Sequence, residues 1–159
     1  MSDAALVWFP FGADINISNG DLSADNGLAT AVMISLFTDA RAVDLTLLPA
    51  GENEVRGWWG DIDEFKTGSL LWLIKREKTL PEVAARAREA CIDALAWLRE
   101  DEIAEKVEIT AEIIKPSGLE IVIKIYRGTS RRYSYLWDAI VNYESITVQN
   151  TGISIEFLE

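Results

Sequence analysis

Lys106-Val107-Glu108-Ile109-Thr110-Ala111-Glu112-Ile113 alternates polar and apolar residues, and Leu119, Ile121, Ile123 and Ile125 resume the alternation after Lys115-Pro116-Ser117-Gly118. A strand sends successive side chains to opposite faces, so Val107, Ile109, Ala111 and Ile113 share one face and their polar neighbours the other. The Pro-Ser-Gly break supplies turn chemistry, and the stretch reads as a β-hairpin with one apolar face. That face has to be covered by another layer. Immediately upstream the period changes: Leu80, Ala84, Ala87, Cys91, Ala94 and Leu98 recur at steps of four and three, the spacing of a narrow helical seam. Thr79 with Glu82 forms a capping box, and Pro81 is tolerated in the first turn. The middle of the seam is small, with Ala84, Ala87 and Ala94 around Cys91. Helix axes can therefore approach toward the close end of the roughly 8–10 Å range, so the seam pairs tightly, either inside this chain or across an interface.

Working outward, Tyr133, Tyr135 and Trp137 continue an alternating pattern, while Ile146 and Val148, then Ile153, Ile155 and Phe157, predict a last hairpin turning near Asn150 to Gly152. Residues 139–159 thus read as an appended hairpin. At the other end, Ile15 and Ile17 alternate with Asp14, Asn16 and Ser18 up to Asn19-Gly20, the strongest short hairpin signal. A rival reading places Asp14, Asn16, Ser18 and Asp25 at positions of a calcium loop, but Asn19 stands where that loop needs glycine. From Ser23 or Asp25 as N-cap, Leu28, Val32 and Leu36 with Met33 and Phe37 follow helical spacing to about Thr38. Ser69 to Lys78 is apolar before it turns basic and reads as a further helix. The expected fold is α+β, with an N-terminal hairpin and about three helices packed against a C-terminal antiparallel sheet, as one domain over residues 1–159.

Composition narrows the function. The 159 residues include 15 basic and 26 acidic side chains, a net charge of −11, and no histidine. Such a charge repels phosphate backbones, so nucleic acid is not an expected partner. Without histidine the commonest general base and the commonest transition-metal ligand are missing, and no metal or cofactor is expected. Cys91, the single cysteine, reads as an apolar filler. A residue run starting Ser2-Asp3 lacks the basic region of a signal peptide, and the apolar run Leu70 to Ile74 is too short to span a bilayer, so cytoplasmic synthesis without a membrane partner is expected.

Asp39 to Lys66 reads as a long loop carrying Gly57-Trp58-Trp59-Gly60-Asp61, with Asp63 and Glu64 beyond. Three readings compete. The tryptophans could pin the loop to the helices; they could form a binding hot spot for a protein partner; or aromatics beside carboxylates could bind and cleave a glycan such as peptidoglycan. Arg41 and Arg76 sit at helix ends, where a cation complements the helix dipole. Arg127, Arg131 and Arg132 beside Tyr133 and Tyr135 form a basic aromatic patch of a kind that meets single-stranded nucleic acid, but on this acidic chain it reads rather as a solvated strand end or a docking site for an acidic neighbour.

Ile34-Ser35-Leu36-Phe37-Thr38-Asp39 with Arg41-Ala42, Gly57-Trp58-Trp59-Gly60-Asp61, and Gly68-Ser69-Leu70-Leu71-Trp72-Leu73 leading to Arg76-Glu77-Lys78 together resemble the baseplate proteins of Mu-like phages, the gene-forty-six family. That family is similar in turn to the sheath-initiator wedge proteins of contractile tails, once labelled lysozyme-like. The resemblance runs from about Asp14 to Asp138 and leaves out the final hairpin. It implies a non-catalytic virion protein of the tail baseplate, several copies per symmetric particle, whose helices bundle with other wedge subunits and whose sheet edge receives strands of the tail sheath. Where the sheath-initiator relatives carry Glu-Pro-Arg, this chain reads Trp97-Leu98-Arg99-Glu100-Asp101. Under this reading the interface residues are Arg41, Trp58, Trp59, Asp61, Trp72, Ala84, Ala87 and Ala94. A lysozyme-like hydrolase and a free-standing strand-adding module are the alternatives.

Overall fold

The structure is a computed structural model describing residues 3–9, 12–25, 27–44, 48, 53–62, 66–74, 81–114, 118–129, 145–148 and 152–158. The decisive hairpin forms as its alternation requires: β7 (Ala104–Ile114) and β8 (Gly118–Arg127) pair antiparallel with Ile109 opposite Ile123. The last hairpin joins β9 (Ser145–Val148) to β10 (Ile153–Leu158), again antiparallel. It completes the main sheet, whose order is β7-β8-β10-β9.

One junction differs from the expected all-antiparallel sheet, because β10 lies between β8 and β9 and runs parallel to β8. The choice follows from which strand carries the apolar face. Ile153, Ile155 and Phe157 are buried, so the inner position suits β10, and the shorter β9 takes the edge. The connection from β8 to β10, residues 128–152, exceeds the dozen or so residues that a parallel pairing needs. Aligned levels of apolar residues then cross the sheet, one of them Ile109-Ile123-Ile155-Ile146 in register.

Two helices cover that face. Helix α1 (Leu28–Phe37) buries Leu28, Val32, Met33 and Leu36, and α3 (Pro81–Ala94) buries Ala84, Ala87, Cys91 and Ala94. After Ala94 the backbone tightens, with Ala96 N–H bonding Asp93 and Leu98 N–H bonding Leu95, before α4 (Trp97–Glu100) ends the rod. The seam residues Ala87, Cys91, Ala94 and Leu98 belong to one core with α1 and the sheet, so the seam's partner lies inside this chain. Trp97 Nε1 donates to Ser35 Oγ at 3.1 Å and Arg88 Nε to the Ile109 carbonyl at 2.9 Å, tying the rod to α1 and to β7. Thr79, Leu80, Arg76, Arg131, Arg132, Tyr133, Tyr135 and Trp137 lie outside the described residues.

The N-terminus is more elaborate than one hairpin. Three short ribbons form: β1 (Asp3–Ala4) with β6 (Ala24–Asp25), β2 (Leu6–Phe9) with β3 (Gly12–Ile15), and β4 (Ile17–Ser18) with β5 (Asp21–Leu22). They meet in a closed ring of backbone bonds: Ala5 N–H to Ser23 O, Ser23 N–H to Asn16 O, and Asn16 N–H to Ala5 O, each 2.8–2.9 Å. Asn19 and Gly20 both take positive φ, 54° and 83°, as a two-residue hairpin turn requires. The ribbons also displace two expectations. Ser23 and Asp25 are occupied in the junction and its pairing, so α1 starts from Gly27 without a side-chain cap. The calcium-loop positions are likewise scattered, with Asp14, Ser18 and Asp25 in three different ribbons and Asn16 in the junction between them.

The remaining described helix, α2 (Leu71–Ile74), is a single turn. Ahead of it Ser69 and Asp39 form a parallel bridge, with Ser69 N–H on the Thr38 carbonyl and Ala40 N–H on the Ser69 carbonyl. Gly68 makes the approach: its φ is +111°, and a Cβ would collide with the Thr38 carbonyl and stand 2.9 Å from Ala40 N. Gly68→Ala is therefore expected to cost about 1–3 kcal/mol, measured as a lower thermal midpoint of the isolated protein.

Candidate functional site

Between α1 and α2 the chain builds a small second core of Ala42, Trp72 and Leu73, with Leu48 and Leu70 against it. This core holds the tryptophan loop. Ala42 N–H bonds the Val55 carbonyl at 2.8 Å, and Trp72 Nε1 donates to the Ala40 carbonyl at 2.9 Å. Arg56 completes the attachment: its guanidinium bonds Asp39 at 2.7 Å and lies 4.4 Å from the centre of the Trp72 ring. A cation on an aromatic face gains about 0.5–1 kcal/mol where solvent still reaches it. Farther along, Asp61 N–H bonds the Trp58 carbonyl, and Asp61 Oδ1 accepts the Thr67 N–H at 2.9 Å, so both ends of the loop are closed.

What this scaffold presents is Trp59, 91% exposed. Trp58 lies over Gly60 and remains 44% exposed, its ring 5.5 Å from that of Trp59 and tilted by 48°. Trp72, Arg56 and Asp61 thus fasten the loop, whereas Trp59 adds little buried area to the free chain. Arg41 is exposed, and its Cβ lies against Gly57, which gathers Arg41, Trp58, Trp59, Asp61 and Trp72 around one loop. Ala84, Ala87 and Ala94 lie elsewhere, on the core side of α3. Arg56 had no periodic signal to mark it; only its place before Gly57 hinted at a backbone turn.

The glycan-cleaving arrangement would need two carboxyl groups held across a sugar. Asp61 directs Oδ1 to Thr67, and Asp63 and Glu64 lie outside the described residues. The two tilted indoles are not a coplanar platform.

Two further surfaces complete the picture. Beside the outer strand β7, a groove of about 340 Å³ is lined by Ile92, Leu95 and Val107 and rimmed by Arg99 and Glu100. On the opposite sheet face, Glu108, Lys124 and Glu156 stand in register on β7, β8 and β10, with Lys124 3.4 Å from Glu156. Hydrogen bonds from Lys106 first and from Tyr126 next hold the Glu108 carboxyl below its usual range. This charge row pins strand register and resembles no catalytic pair.

Cys91 is walled in, and burial pushes its thiol up to about 12. The folded thiol stays neutral where an unfolded one ionises, near pH 8.5. Its contribution to stability is undiminished below that pH and falls as pH rises from there toward 12. Iodoacetamide at about pH 8 is expected to leave Cys91 unmodified in the native protein and to alkylate it fully in denaturant.

The sequence model of the family described as "Phage protein GP46" matches residues 28–132, about two thirds of the chain. The protein named "Baseplate protein gp46" of Escherichia phage Mu is 39% identical over 126 residues, covering 79% of this chain and 87% of its own length. The "Mu-like prophage FluMu protein gp46" of Haemophilus influenzae is 37% identical over 139 residues, covering 85% and 96%.

Proposed function

Because the chain belongs to the phage protein GP46 family, we propose that it is a structural, non-catalytic component of a contractile phage tail baseplate. The observation that carries this reading is its similarity, along most of its length, to a protein named for the Mu baseplate. The chain is then made in the host cytoplasm and resides in the baseplate as one domain, in several copies per particle. It acts there as a wedge subunit from which the sheath starts.

The geometry supports this division of labour. An anchored loop that leaves a tryptophan almost wholly in solvent suits a hot spot, because little conformational freedom remains to be lost on docking. Arg41 and Trp58 flank that contact with the neighbouring wedge subunit. The outer strand β7, with the apolar groove beside it and Ile113 and Ile114 exposed toward its end, suits a sheath strand added by main-chain bonds. Ala84, Ala87 and Ala94 support the helix that backs this strand.

Co-expression with the tail proteins encoded beside it, followed by light scattering of the purified material, tests the proposal. A hetero-complex of fixed stoichiometry is expected. A monomer that joins no tail protein, together with clearing of purified cell walls that disappears in Asp61→Asn, would replace it with the hydrolase alternative.

A further inference from the structure

The ribbon junction at the N-terminus carries an apolar strip that the core does not absorb. Leu6 packs at the edge of the core, and its cross-strand partner Ile15 is 47% exposed. Ile15 ends β3, Ile17 begins β4 one residue later across Asn16, and Ile17 pairs with Leu22. Ile17 is 67% exposed and Leu22 55%, so exposed apolar side chains continue from Ile15, beside the core, to the base of the β4–β5 ribbon.

The strip is also held in place rather than left to collapse. The closed ring of bonds among Ala5, Ser23 and Asn16 fixes the junction, and Ala5 at its centre is buried. Asp14 and Asp21 turn their Oδ1 atoms back onto the N–H groups of Ile15 and Leu22, at 2.7 and 2.8 Å, stiffening the backbone beside the exposed side chains. Neighbouring apolar side chains held exposed on a folded surface are a feature of protein-contact sites.

Charge selects the partner. Asp14 and Asp21 are exposed beside the strip, and no lysine or arginine precedes Arg41 in the sequence. A second copy would bring like charge against like charge on a chain whose net charge is already −11. We infer that the Ile15-Ile17-Leu22 strip of the N-terminal ribbon docks into an apolar surface rimmed by lysine or arginine on a different protein of the same particle. This surface is separate from the tryptophan loop, and the inference rests on the baseplate reading.

The test replaces the resident gene with variants and measures the protein in purified tail particles. Ile17→Ser with Leu22→Ser should melt with the wild type, since both side chains are exposed, yet fall at least about tenfold in particles. Asp14→Lys with Asp21→Lys keeps the strip, reverses the local charge and should fall comparably. Wild-type incorporation of both variants would overturn the inference. So would a purified wild-type dimer that the serine pair dissolves, because the strip's occupant would then be a second copy. If the wild-type protein itself is missing from particles, the baseplate reading fails first and the inference with it, a result distinct from failure of the variants alone.

Discussion

Ile123→Ala is expected to remove about 2–5 kcal/mol of stability, toward the upper end of that range. Ile123 is fully buried on β8, between Ile109 on one neighbouring strand and Ile155 on the other. Ile155 is held by ladder bonds on both sides, and Ile109 by the ladder to β8 and by Arg88 on its carbonyl, so neither slides in readily to fill the space left by the lost carbons. Above them, Leu36 and Cys91 belong to the same core and are fixed on helices. A domain of this kind typically has 5–15 kcal/mol to lose. In urea the midpoint should drop by more than about 1 M with the slope unchanged, the signature of a stability loss in an intact native state. Ile113→Ala, at the exposed end of β7, should cost less than about 1 kcal/mol. Equal costs at the two positions would mean that the sheet face is not the core.

Trp59→Ala should do the reverse, leaving the monomer intact and impairing assembly. With 91% of the residue in solvent, its removal takes almost no buried area from the free chain, and the melting curve should match the wild type within about 0.5 kcal/mol. At an interface the same truncation typically costs 2 kcal/mol or more for a hot-spot tryptophan, roughly a thirtyfold loss of affinity. Trp72→Ala provides the contrast. It would break the bond to the Ala40 carbonyl, empty the second core and remove the seat of Arg56, so it should lower stability by about 3–5 kcal/mol. A Trp59→Ala protein that melts early would make Trp59 a loop anchor after all.

The particular elements explain why some of this could be read from sequence and some could not. The hairpins at 104–127 and 145–158 were legible because strict alternation specifies both the strand and its buried face, and Asn19-Gly20 was legible because only such residues accept that turn. The order of strands was not, since alternation says which face is buried and nothing about which neighbour a strand chooses. That is why the parallel pairing of β10 with β8 came only from the structure. The small seam of α3 was visible as a close contact, but its partner, inside or outside the chain, was not encoded in the spacing. In the loop, Trp58 and Trp59 stood out by composition. The parts that fasten them are single contacts between residues distant in sequence, Arg56 to Asp39 and to Trp72, which leave no local pattern. The exposed strip at Ile15, Ile17 and Leu22 was hidden for the converse reason: alternating apolar residues predict a buried face, and only the ribbon geometry leaves them in water.

Deleting the gene and imaging the particles by electron microscopy tests the structural role most directly. The account predicts tails without an assembled baseplate and sheath, restored by the wild-type gene and not by Trp59→Ala. Sheathed, contracting tails produced in the gene's absence would contradict it.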